Sequence, residues 1–280
     1  MDLEFYARQA LGLKTPDAKV QPIEAPRTLD VAFASRSLAA VESTLAPALS
    51  MTPSALRDAA SARRKAVAIE YNRVLSSGAF GIGGYDALEG GSSGADAVTQ
   101  QYAFDLTLLT LFSLLADARL PRETNADVAR RLGDSLIEVV GPPSAASPAS
   151  AAAASSPKKL SELIDGMRTL LRSLRTAGYV RAFTLDDSDA DDALWAQRSE
   201  LSDTRLTVTL TESASLRAGV VLNGRSGCSP ELARPLLIAY LRQRGVLVES
   251  SEYFLDDTYR SNPQEYRANQ QVIELTLKPA

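Results

Sequence analysis

Residues 144–156 read Ser-Ala-Ala-Ser-Pro-Ala-Ser-Ala-Ala-Ala-Ala-Ser-Ser, and this run constrains the chain more than any other feature. A segment built from Ala, Ser and Pro cannot bury enough apolar surface to offset the entropy of ordering it. It predicts a break in the organisation of the chain. Residues 1–141 are read as a helical region, 142–157 as a linker, and 158–280 as an α+β domain. A chain of 280 residues has room for one large domain or two smaller ones.

The helical region is punctuated early. A helix over 2–11 ends at Gly12, and Pro16, Pro22 and Pro26 bias their predecessors toward extended backbone. That stretch is read as an N-terminal arm. A short helix then carries Leu38, Val41 and Leu45 on one face. Thr52-Pro53 has the form of an N-cap followed by proline in the first turn. Leu56, Ala60, Val67, Tyr71 and Val74 continue from it at helical spacing. Arg63, Arg64 and Lys65 lie within this helix and are read as a solvated face.

Residues 78–94 hold seven glycines, from Gly78 to Gly94. A phosphate-cradling loop would need Lys-Ser/Thr after its last glycine, or a third glycine where Asp86 stands. Neither is present, so the segment is read as a connector. Helices over 97–118 and 124–140 follow, the second with Val128, Leu132, Leu136 and Val139 as its stripe and Gly141-Pro142-Pro143 as its stop.

Beyond the linker, the helix over 157–177 buries Leu160, Leu163, Ile164, Met167, Leu171 and Leu174 and ends at Gly178. Strands are expected over 179–185, 205–211, 216–222, 246–254 and 271–277, with a helix over 235–244 before the last two. Alternation at Leu206, Val208 and Leu210 implies one wet face. The expected fold is α+β: a helical N-terminal half followed by a small, mainly antiparallel sheet with two helices.

Composition limits the chemistry. There is no histidine, which removes the common general base near neutral pH and the commonest nitrogen ligand of metals. Histidine-dependent triads and dyads are excluded; carboxylate, lysine or tyrosine chemistry is not. The one cysteine, Cys228, cannot form a disulfide within the chain, which favours a reducing compartment. The acidic start and the absence of a long apolar run argue against a signal peptide or a membrane span. The longest apolar run, 106–115, is interrupted by Thr107, Thr110 and Ser113. A cytoplasmic or nuclear location is expected.

Four constellations invite a functional reading. Cys228 to Arg234 has the Cys-x5-Arg spacing of cysteine phosphatases, but Pro230 removes an amide donor and Glu231 puts a carboxylate where the phosphate would sit. The turn over 223–227, with Arg225, would suit a small anion, although a plain connection explains it better. The acidic run 186–192 fails as a calcium loop because Asp192 and Arg198 stand where glycine and glutamate are required. The helix over 157–177 carries Arg168, Arg172 and Arg175 at i, i+4 and i+7 in a winged-helix-like order. Solvent exposure is the preferred account of that face, with nucleic-acid contact as the alternative.

Ser156-Pro157-Lys158-Lys159 has the form of a proline-directed phosphorylation site at a helix start. Tyr253, Phe254, Tyr259 and Tyr266 would serve equally as anchors for a partner or as packing for the terminal hairpin. The preferred expectation is a non-catalytic interaction or adaptor subunit of an intracellular assembly, not an enzyme. Its partners would be other protein subunits, with no cofactor and no metal. The alternatives are a nucleic-acid-binding subunit and a histidine-free enzyme acting on a small anion near Arg225 and Cys228.

Overall fold

The computed structural model describes residues 29–74, 92–141, 160–187, 195, 204–211, 213–215, 218, 222, 230–255 and 270–279. Among the described residues, four helices precede the Ala/Ser/Pro run: α1 (Val31–Ala48), α2 (Pro53–Val74), α3 (Ser92–Asp117) and α4 (Arg122–Val140). After it come α5 (Leu160–Thr176), β1 (Ala182–Asp186), β2 (Thr204–Thr211), α6 (Ala233–Arg242), β3 (Val246–Leu255) and β4 (Gln270–Pro279). The fold is α+β, with the sheet confined to the C-terminal part.

Local chemistry explains the helix boundaries. The Asp30 carboxylate accepts from the Phe33 amide at 2.6 Å, starting α1. Phe33, Ser37, Ala40, Val41, Thr44 and Leu45 are its buried face. Leu38, expected on that face, only packs against its margin. Thr52 Oγ1 accepts from the Ala55 amide at 3.2 Å, as the Thr52-Pro53 pair predicts. Glycine ends two later elements in the left-handed region: Gly178 has φ 73° after α5, and Gly245 has φ 72° after α6.

α3 begins at Ser92, so Gly94 belongs to a helix rather than to the glycine-rich connector. The hydroxyls that interrupt its apolar run return to their own helix. Thr110 donates to the Leu106 carbonyl and Ser113 to the Thr110 carbonyl, each at 2.7 Å. This is how polar side chains sit in a core without an unmade bond. No helix among the described residues is long and apolar enough to cross a membrane.

α5 carries the cleanest stripe: Leu160, Leu163, Ile164, Met167, Leu170, Leu171 and Leu174 are all buried. Each such side chain contributes roughly 1.5–3 kcal/mol relative to exposure, an upper bound for a compact unfolded chain. The sheet runs β1-β2-β4-β3 and every pair is antiparallel. Leu206, Val208 and Leu210 face inward beside Leu275, Ile273 and Gln271, their register partners on β4.

The strand expected over 216–222 is not found at its described residues. Ala218 and Leu222, the residues described within 216–222, are helical and buried. The segment reads Leu-Arg-Ala-Gly-Val-Val-Leu, in which β-branched residues favour a strand. Tertiary context prevails, because the Ala218 amide is held by the buried Asp105 carboxylate of α3 at 3.1 Å.

Buried side chains from both sides of the Ala/Ser/Pro run form one continuous core. α4 and α6 meet where a Cβ on Gly133 would overlap the Pro235 carbonyl oxygen and press on the Ala239 Cβ at 2.8 Å. Asp134 and Arg242 form an ion pair across the same junction. Gly166 makes a similar approach between α5 and the Tyr240 side chain of α6.

Candidate functional site

The start of α6 is the most densely bonded polar region among the described residues. Glu231 is fully buried. One carboxylate oxygen accepts from the Ala233 amide at 2.9 Å and the other from the Arg234 amide at 2.8 Å. These are the orphan donors of a helix N-terminus, where negative charge is favoured. Tyr179 donates its hydroxyl proton to Glu231 at 2.8 Å and accepts from the Leu232 amide at 3.0 Å. With that proton committed, the 2.5 Å contact to Ser215 has the serine as donor.

Among the described residues of the Cys-x5-Arg spacing, the Ala233 and Arg234 amides hold Glu231 and the Leu232 amide holds the Tyr179 hydroxyl. The Arg234 guanidinium reaches β3, donating to Ser250 Oγ at 3.1 Å and to the Ser250 carbonyl at 3.4 Å. Cys228 and Arg225 lie outside the described residues.

Tyr179 also ties the two parts of the chain together. Its ring centroid lies 5.8 Å from that of Phe33 on α1 and 6.5 Å from that of Phe104 on α3, the latter edge-on. The Asp30 amide donates to the Ala177 carbonyl, and the Ala214 amide to the Tyr179 carbonyl. Burial, and next the nearby Glu231 charge, hold the Tyr179 hydroxyl well above the ordinary tyrosine range. Sequence reasoning took Tyr179 as a strand start, whereas β1 begins at Ala182. The usable signal was a bulky residue with one polar tip following a helix-capping glycine. Asp105, which brackets the apolar run 106–115 within α3, is buried.

The three arginines of α5 differ in standing. Arg168 bonds Asp165 on its own helix at 3.2 Å and Asp187, just past β1, at 2.9 Å. The Arg168 and Asp187 side chains are 35% and 33% exposed, so the pair sits at the water boundary. Arg172 and Arg175 are exposed. Arg175 lies in the last turn of α5, where the helix dipole favours a cation. Of the acidic run 186–192, only Asp186 and Asp187 are described.

Within α2, Arg63 pairs with Asp117 at 2.5 Å and Arg64 donates to Thr107 Oγ1 at 3.2 Å, so both tie α2 to α3. The outward row of the sheet is a polar surface. Thr184, Arg205, Glu249, Ser251 and Glu274 are exposed, and Thr207, Thr209, Thr211 and Thr276 are half-buried. Leu247 is 59% exposed at one corner.

Tyr253 and Phe254 pair in register with Val272 and Gln271, and their side chains lie outside the described ones. Tyr259, Tyr266 and Ser156 fall outside the described residues. No protein-family model matches the chain, and no curated protein or solved structure matches it either.

Proposed function

We propose that the chain is a non-catalytic interaction subunit of a larger intracellular protein assembly. The observation that carries this reading is the internal use of Glu231. The motif with a catalytic spacing directs its carboxylate to Tyr179 and to the α6 amides, while Arg234 braces β3. The outward sheet face adds support: rows of threonine and mixed charge, with Leu247 exposed at the corner, compose a broad polar surface suited to another chain.

The test is affinity purification of the full chain at native expression, with identification and stoichiometry of co-purifying chains. A complex of fixed stoichiometry supports the proposal. A monomer that turns over a metabolite overturns it.

A further inference from the structure

We propose that the arginine face of α5 is a docking strip for an acidic segment of a partner protein, and that Asp187 is its intramolecular competitor. This rests on the interaction-subunit reading and names the partner chemistry at one surface. Arg168, Arg172 and Arg175 lie together along one flank of α5, beside the buried stripe of Leu160, Leu163, Ile164, Met167, Leu170, Leu171 and Leu174. Seven residues of helix place the first and last arginine roughly 10 Å apart along the axis.

The structure supplies a sample of the ligand. A carboxylate delivered from outside the helix, that of Asp187, already engages Arg168 at 2.9 Å. Arg172 and Arg175, one and two turns further on, have no ion pair among the described residues. Alternate residues of an extended peptide lie about 6.8 Å apart, close to the roughly 6 Å rise between Arg168 and Arg172. Aspartates at alternate positions therefore match the Arg168–Arg172 step in spacing and the whole strip in charge.

The chain's net charge of −4 opposes any polyanion alike, so the choice of occupant rests on the Asp187 carboxylate already seated on Arg168. The Arg168–Asp187 pair is partly exposed, so its strength falls in the weak surface range and it is exchangeable. Asp165, three residues before Arg168, stays with the arginine in either state.

The experiment measures fluorescence anisotropy of a labelled peptide of alternating aspartate and serine, titrated with the full chain. A single-stranded oligonucleotide of matched charge serves as the comparison. Asp187→Asn should tighten peptide binding by about 2- to 5-fold, the range of a surface ion pair. Arg172→Glu with Arg175→Glu should weaken it by at least about 10-fold, and added salt should weaken the wild type.

An unchanged affinity in Asp187→Asn, or no peptide binding to either form, overturns the proposal. Tighter binding of the oligonucleotide with the same arginine dependence overturns it in favour of a nucleic-acid face. A native complex that survives the double arginine variant sinks only the docking strip. Failure of the wild type to form any complex sinks the subunit reading instead.

Discussion

Replacing Gly133 with alanine should destabilise the protein, although the same change at an open helix position would stabilise it. Glycine inside a helix costs about 0.5–1 kcal/mol relative to alanine, so propensity alone predicts a gain of that size. The packing predicts the reverse sign. An added Cβ overlaps the Pro235 carbonyl oxygen, a backbone atom of the first turn of α6 that cannot swing aside. It also meets the Ala239 Cβ at 2.8 Å, so α4 and α6 must move apart. Overpacking of this kind costs about 1–3 kcal/mol. The net expectation is a loss of roughly 1–2 kcal/mol.

The assay is urea unfolding followed by circular dichroism, comparing the midpoint of Gly133→Ala with wild type at equal m-value. Gly166→Ala is an informative companion, because there the added methyl meets the end of the Tyr240 side chain rather than backbone. Pairing it with Tyr240→Ala should recover the part of its loss that comes from the clash. A Gly133→Ala midpoint raised by the full propensity gain would refute the close approach of α4 and α6.

Further outcomes follow from the buried polar groups. Ser37→Ala should leave stability unchanged or raise it, because the Ser37 hydroxyl is buried with no hydrogen-bond partner among the described residues. A fall of more than about 1 kcal/mol in urea unfolding would contradict this. Tyr179→Phe should cost roughly 1–3 kcal/mol in the same assay, since it removes the donor to Glu231 and the acceptor of the Leu232 amide. A cost near zero would mean that the network is not formed. Tyr179 holds its proton in the folded state above the pH at which an unfolded tyrosine releases it. Its stabilising contribution is therefore full below about pH 10 and declines as pH rises beyond that. In absorbance titration at tyrosinate wavelengths, the wild type should show one more late-titrating tyrosine than Tyr179→Phe. Equal counts in the two proteins would refute the assignment.

Much of the fold was legible because local signals and burial agreed. The α5 stripe, the Thr52 cap, the helix stops at Gly178 and Gly245 and the β2 alternation each follow one period or one backbone requirement. The errors arose where a distant partner decides. Residues 216–222 have strand-like composition, but Ala218 and Leu222 are helical, and the Ala218 amide is held by Asp105, 113 residues away in sequence. Their spacing of four was a weaker clue than the adjacent valines.

The candidate site was legible only in part. Glu231 was identified as an obstacle to phosphate, and the structure locates its carboxylate on the α6 amides. Its bond to Tyr179 links residues 52 positions apart, and no periodicity reports such a pairing. Arg168 read as one of three equivalent cations. Its link to Asp187 depends on β1 running back beside α5, which is a tertiary fact.

The sheet order has a consequence for how the molecule is made. β4, last of the strands in sequence, lies between β2 and β3, so it alone joins the β1–β2 pair to β3. During synthesis the earlier strands emerge with open edges and wait for residues 270–279. Until those leave the ribosome, the β1–β2 ribbon and the lone β3 strand are exposed to mispairing. A ribosome stalled shortly before Gln270 would hold the chain at its most aggregation-prone length.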